Sequence, residues 1–251
     1  ELIHSATLMH DDVIDVGNIR RGKKTLNSIW GNHSSILVGD YLLSRCFEMM
    51  VEDGNLEILK ILSSTSTQIA QGEVLQLEHK GEVDMLEETY LKIISSKTAA
   101  LFAAATKVGA ILSNTEDRKK DALNFYGKNI GLTFQIADDT LDYNSELKLF
   151  GKKIGKDFFE GKITLPIILL FQKINILEKQ KIDTFFKQSS RSDSDLSYTL
   201  SLIKKYNIIT ECYKKADHFI NLASNSLSIF KNSDEKTILE NLTSFSLERN
   251  F

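Results

Sequence analysis

The sequence predicts an all-α protein folded as a single domain over residues 1–251. One Pro and 13 Gly are spread over the whole chain, so few positions interrupt a helix. Apolar residues recur at three- and four-residue spacing through most segments. No stretch alternates apolar and polar residues as a strand ladder does. A chain of this length can bury one large core.

The elements follow in order. The first helix covers about 1–16; it starts on Glu1-Leu2-Ile3-His4 without a cap or an initiator Met, so an upstream segment is expected. A basic loop, Gly17 to Lys24, comes next. A helix from about Ser34 to Val51 is closed by the turn Glu52-Asp53-Gly54-Asn55. A long helix then runs to about His79. Asp84 and Glu87 read as a capping box for a helix that carries Lys97 and Thr98 and stops near Ser113-Asn114. Another starts around Thr115 and carries Asp138. Tyr143 to Gly161 is a Lys- and Gly-rich loop, and Pro166 sits just inside the next helix, where a missing N–H costs little. Gln188 to Ser197 is expected to be a polar, mobile connection, with two further helices closing the chain.

Hydrophobic content of 42% and charged content of 26% are those of a soluble globular protein. A net charge of −3, with Lys and Arg not gathered into one stripe, argues against a nucleic-acid partner. Cys46 and Cys212 fit neither a metal spacing nor a disulfide framework, which predicts a reducing, cytoplasmic compartment. No apolar run reaches the length of a membrane span, and no signal-peptide pattern is present.

The chemistry concentrates in a motif that occurs twice: Asp11-Asp12-Val13-Ile14-Asp15 and Asp138-Asp139-Thr140-Leu141-Asp142. Each reads D-D-x-x-D. On a helix the first and last carboxylates project from one face, one turn apart, where unpaired they repel. Both copies follow apolar helical sequence, which a solvated acidic face would not do. Two such faces make oxygen cages for hard divalent cations, and Mg²⁺ takes a few carboxylates together with water and phosphate oxygens. Cations accompany them: Arg20 and Arg21 after the first motif, Lys97 in mid-helix, and Lys152, Lys153, Lys156 and Lys162 after the second. Arg offers a diphosphate bidentate contacts and Lys a point charge. Gln135 lies one turn before Asp138-Asp139 on the same helix. His10 reads as a hydrogen-bonding neighbour of Asp11 rather than a ligand, and no Ser-His-Asp or Cys-His set is present.

These residues bring the chain to a family. Glu1 to Asp15 with Arg20-Arg21-Gly22-Lys23, Gly39-Asp40-Tyr41-Leu42-Leu43, Lys97-Thr98-Ala99, Phe134 to Asp142, and Gly155-Lys156-Asp157 through Pro166 together resemble the trans-isoprenyl diphosphate synthases, or polyprenyl synthetases. The resemblance covers at least residues 1–170 in order. It implies antiparallel helices around a deep central cavity. It also implies head-to-tail addition of isopentenyl diphosphate to an allylic diphosphate, with Mg²⁺ (about three ions, Mn²⁺ substituting). By matching positions it implies Asp11, Asp15 and Asp138 as direct metal ligands. Asp12, Asp139 and Asp142 would act through water or by orienting them. Arg20, Lys97, Lys153 and Lys162 would hold the allylic diphosphate, with Lys152 the alternative to Lys153 by a one-residue shift. Arg21 would contact isopentenyl diphosphate, while Thr98 and Gln135 steady the carbocation and incoming substrate. A homodimer is implied, as is a transient membrane-surface contact for release of an apolar product. The family's Gly-Gly-Lys-x-x-Arg-type segment and N-terminal helices are expected upstream of Glu1.

Product length follows from the residues one turn before Asp11, about 6–7.5 Å along the helix. There stand the small residues Ala6 and Thr7, where aromatic side chains in the family make a floor. Phe102 is either a lower floor or a core side chain. Gln71 to Leu77 also resembles the long-chain members. The expectation is a long-chain synthase, of octaprenyl type, serving a quinone side chain. The alternatives are a short-chain farnesyl or geranylgeranyl synthase, a class I terpene cyclase, a subunit of a heteromeric synthase, and a structural metal-binding bundle. The cyclase normally carries an Asn/Asp-Ser/Thr-Glu second motif, and the bundle leaves the Arg and Lys set unexplained.

Overall fold

The computed structural model describes residues 1–20, 22–144 and 154–247. The chain forms two compact units, Glu1–Ser66 and Thr67–Phe251.

In the first unit, α1 spans Leu2–Ile14, α2 Leu26–Trp30 and α3 Asn32–Asp53. Between α1 and α2 the basic loop forms a ladder that the sequence reading did not expect. β1, Ile19–Arg20, pairs antiparallel with β2, Lys23–Lys24. Two-residue strands are too short to leave a period of two in the sequence, and the turn between them rests on Gly22 at φ +73°. α1 packs along α3 and buries Ile3 and Ala6, while α3 buries Gly39, Cys46 and Met50. Gly54, at φ +71°, closes α3 in the left-handed conformation. α4, Leu56–Glu78, opens on Asn55, whose side chain accepts from the N–H groups of Glu57 (3.0 Å) and Ile58 (3.1 Å). The boundary between the units falls inside this helix.

In the second unit, α5 spans Glu87–Ile94 and runs through a π-helical turn, Ser95–Ala99, into α6, Ala100–Leu112. α7 covers Asp117–Leu141 and packs against α6. The short α8, Lys156–Glu160, precedes α9, Leu165–Lys173. α10 (Ile176–Lys187), α11 (Asp193–Lys205), α12 (Ile208–Ser226) and α13 (Asp234–Leu247) complete the unit. α12 lies along the length of α7. Tyr90, Ile93, Leu132, Ile136, Phe158 and Leu170 belong to its buried core.

Two local expectations are corrected, and one helix left open at its end gains a bound. Asp84 does not cap α5: Leu86 takes that position, and no side chain caps it. The helix after Pro166 ends at Lys173 and restarts at Asn175, which forms a capping box with Glu178. Gln188 to Ser197 is not a free connection either. Ser192 and Asp195 form a capping box that starts α11. Arg191 donates to the carbonyls of Phe159 (3.1 Å) and Phe186 (2.9 Å). Three helices therefore occupy the tail where two were expected. No described helix is long and apolar enough to cross a membrane.

Candidate active site

The first motif occupies the last turn of α1, with Asp15 as its C-cap. Asp12 is buried. One of its carboxylate oxygens accepts from Nε (2.9 Å) and lies 2.8 Å from an Nη of Arg20. Its backbone carbonyl accepts from Gly17 N (2.9 Å) and from the Asn27 amide (3.1 Å). The loop is thus folded back onto the motif, and Thr25 ties it to the Gly17 carbonyl at 2.7 Å. Asp11 and Asp15 are half-buried. His10 turns toward α3: Nε2 lies 3.2 Å from an Asp40 carboxylate oxygen and 3.3 Å from the Ile36 carbonyl. Gly39 makes room for it, because a Cβ there would sit 2.4 Å from that nitrogen. Of the product-length candidates, Ala6 is buried, while Thr7 is half-buried with its hydroxyl on the His4 carbonyl (2.9 Å).

The second motif ends α7, with Asp142 as C-cap. Asp138 is exposed, whereas Asp139 and Asp142 are buried. Asp139 accepts at one oxygen from Gln135 Nε2 (2.8 Å) and at the other from the Tyr90 hydroxyl (2.7 Å). Burial pushes its carboxyl up to about 7; the two hydrogen bonds oppose that shift and the charges of Asp138 and Asp142 add to it. Asp142 accepts from the backbone N–H groups of Lys156 (3.1 Å) and Asp157 (2.8 Å), which fastens the start of α8 beneath the motif. Desolvation, then the charges of Asp139 and Asp142, holds the Asp157 carboxyl well above its ordinary range. Lys162 pairs with Glu160 at 2.9 Å.

Lys97 lies in the π-helical turn. It forms an ion pair with Glu73 and donates to Gln76 at 3.0 Å, both on α4. Gly72 lets the two segments touch, since a Cβ there would lie 2.7 Å from the Lys97 backbone nitrogen. The Thr98 hydroxyl donates to Gln135 Oε1 at 2.7 Å, so these two sequence-predicted residues are joined directly. Phe102 is half-buried, with its ring centroid 5.4 Å from that of Phe134. Arg21, Lys152 and Lys153 lie outside the described residues.

Sequence reasoning missed Tyr90, Glu73 and Gln76 as members of this constellation. The signal for Tyr90 was its place two helical turns before Lys97-Thr98, amid aliphatic residues. Glu73 and Gln76 stood within the quoted stretch Gln71 to Leu77, but nothing in their spacing shows that Lys97 lies against them.

The donors present suit a hard divalent cation, because every one is a carboxylate oxygen. The protein itself meets acids of both motifs: Asp12 through Arg20, Asp139 through Tyr90 and Gln135, Asp142 through α8. Among the described residues no three His, Cys, Asp or Glu side chains gather into a metal cage. A cation held by one or two carboxylates needs oxygens from elsewhere, and phosphate oxygens with water are what Mg²⁺ ordinarily takes.

A family model described as polyprenyl synthetase matches residues 1–203. The all-trans-nonaprenyl-diphosphate synthase (geranyl-diphosphate specific) of Rhodobacter capsulatus is 37% identical over 99% of this chain and 76% of its own length. The octaprenyl diphosphate synthase of Escherichia coli is 43% identical over 76% of this chain, a match spanning 59% of that protein. The crystal structure of a polyprenyl synthase from Caulobacter crescentus, complexed with calcium and isoprenyl diphosphate, superposes with a TM-score of 0.94. It is 39% identical, and the match covers all of this chain and 76% of that one.

Proposed function

The chain belongs to the polyprenyl synthetase family of prenyltransferases, and on that premise we propose how its residues make a long-chain all-trans polyprenyl diphosphate. The substrates are isopentenyl diphosphate and an allylic diphosphate, geranyl or farnesyl, joined head to tail. The family uses divalent metal ions; the ion here is Mg²⁺, about three per site, with Mn²⁺ able to replace it. Asp11, Asp15 and Asp138 ligate it, a reading supported by the all-carboxylate donor set and by the i, i+4 spacing that puts Asp11 and Asp15 on one helix face. Bound metal would supply charge to the departing diphosphate.

The chain's residues do the rest. Arg20 spends part of its five-donor fork on Asp12 and offers the remainder to the allylic diphosphate. Lys97 and Lys162 each stand beside a glutamate and exchange that partner for diphosphate oxygens. Arg21 and Lys153 take the roles the resemblance assigns them. Thr98 and Gln135 present oxygen dipoles to the allylic cation, where fixed dipoles need no reorganisation as charge develops. Apolar walls keep that cation from water. The single observation that carries this reading is the Thr98–Gln135 hydrogen bond joined to the second motif through Asp139.

The enzyme works as a homodimer, supported by Leu37 and Tyr41, one turn apart on α3 and both about two-thirds exposed (67% and 66%). Buried, unpaired Cys46 and Cys212 fit a cytoplasmic protein that meets a membrane surface only to release product.

Incubation with Mg²⁺, farnesyl diphosphate and isopentenyl diphosphate, followed by chromatography of the dephosphorylated products, tests both levels. Products longer than geranylgeranyl are expected. No transfer would overturn the activity, and short products would overturn the chain length. Thr7→Phe, which adds a ring one turn before Asp11, should stay active and release shorter products. Unchanged length would show that the tail does not run past α1.

A further inference from the structure

Tyr90 is 2% exposed, and its hydroxyl goes to Asp139 alone at 2.7 Å. An ionised carboxylate can only accept, so when Asp139 carries its charge, as it does beside a bound cation, the tyrosine is the donor. The same logic sets the next link. Gln135 faces Asp139 at 2.8 Å and must turn its NH₂ group there, which leaves its carbonyl oxygen for the Thr98 hydroxyl at 2.7 Å. Thr98 has one proton, and Gln135 takes it. Toward any other group Thr98 is an acceptor.

The backbone is arranged for this. Tyr90 and Thr98 are eight residues apart, which on an unbroken α-helix would separate their directions by about 80°. The π-helical turn Ser95–Ala99 begins between them and carries Thr98 itself. A π turn takes more residues per turn than an α-helix, so by Thr98 the chain has rotated less than an α-helix would and the two side chains come toward one direction. Both therefore reach the same face of α7, where Gln135 and Asp139 are one turn apart. Gly131 allows that approach: a Cβ there would lie 2.5 Å from the Cα of Ala99.

We infer that Tyr90 is a positioning residue for prenyl transfer, the buried end of a one-directional relay Tyr90–Asp139–Gln135–Thr98 that fixes the Thr98 oxygen as an acceptor. The inference rests on the function proposed above. An acceptor at Thr98 suits a substrate that passes through a cation, because a hydroxyl free to rotate could equally present its proton. With both oxygens of Asp139 bonded, the carboxylate is held in one orientation, and so is the Gln135 amide.

A double-mutant cycle tests the relay. Tyr90→Phe and Thr98→Val each remove one hydroxyl and should each lower kcat about tenfold to a hundredfold, the reach of one hydrogen bond to a charged group. KM for both diphosphates should stay within about twofold, because no diphosphate contact is touched. The double variant should be no slower than the slower single one, and Thr98→Ser, which keeps the hydroxyl, should restore turnover. Losses that multiply, or a Tyr90→Phe effect confined to KM, would overturn the relay. Should Tyr90→Phe fail to fold, NMR of the Tyr90 hydroxyl proton in the otherwise intact protein decides the matter. The relay requires that proton to exchange slowly and to shift when Gln135→Leu is introduced; a resonance indifferent to Gln135→Leu refutes it. Wild-type turnover is measured first. Its absence removes the proposed function, whereas turnover with multiplying losses removes only the relay.

Discussion

Asp12 and Asp139 hold the same place in the two D-D-x-x-D motifs, and both are buried, yet one is met by a cation and the other by neutral donors. Arg20 meets Asp12 from a short hairpin next to it in sequence. Tyr90 reaches Asp139 from another helix, 49 positions away, and Gln135 reaches it from one turn back. A guanidinium cancels the charge it touches; a phenol and an amide orient a carboxylate and leave its charge in place. Burial therefore pushes Asp139 up to about 7. Both third acids end their helices, and Asp142 also anchors α8 by accepting from two backbone N–H groups. Five letters repeated in a sequence specify donors and their spacing. The neighbours decide what each donor is free to do.

The hardest way to break the comparison is to remove the first acid of each motif. Asp11→Ala and Asp138→Ala should each cut kcat by about 10²–10³ or more, with folding intact, because each deletes a group acting on transition-state charge. Steady-state rates at saturating Mg²⁺ check this. Near-normal turnover in only one variant would mean that the motifs are unequal in ligation as well as in support.

The next test concerns how each motif's helix is seated. Gly131→Ala would press on the backbone of Ala99, which cannot yield without moving a helix. A loss of about 1–3 kcal/mol in urea unfolding is expected, the usual cost of overpacking. Gly39→Ala would meet only the far end of the His10 ring. That ring can swing aside at the cost of its Asp40 contact, so the loss should be smaller. Equal losses would show that His10 is as immovable as a backbone.

The smallest effect is spread over pH. The Asp139 carboxyl binds its proton more tightly folded than unfolded. It therefore adds stability below its ordinary 3.8, and that contribution disappears as pH rises through about 7. With chelator present to exclude metal, wild-type stability relative to Asp139→Asn should fall between about pH 4 and about pH 7 and level off above. Asp157 is shifted the same way, so Asp139→Asn should keep part of the wild-type slope. A pH-independent difference would show that Tyr90 and Gln135 fully offset the burial of Asp139.

Much of this molecule was legible along the chain, for a local reason. Helices betray themselves by three- and four-residue spacing, and D-D-x-x-D puts carboxylates on one helical face whatever packs around it. Thr98 and Gln135 were singled out by the family resemblance, position by position, and spacing alone does not assign them a role. The errors were local as well. A ladder of two-residue strands has no period to read. Asp84 and Glu87 had the letters of a cap but not its place, and Gln188 to Ser197 looked loose because capping residues and loop residues are the same polar types. Only tertiary structure decided that Tyr90 stands behind Asp139 and that Lys97 rests on Glu73 and Gln76. Those pairings join positions 21 to 49 residues apart. Their strength comes from desolvation and from donors brought within hydrogen-bond reach, and a spacing pattern along one helix carries neither.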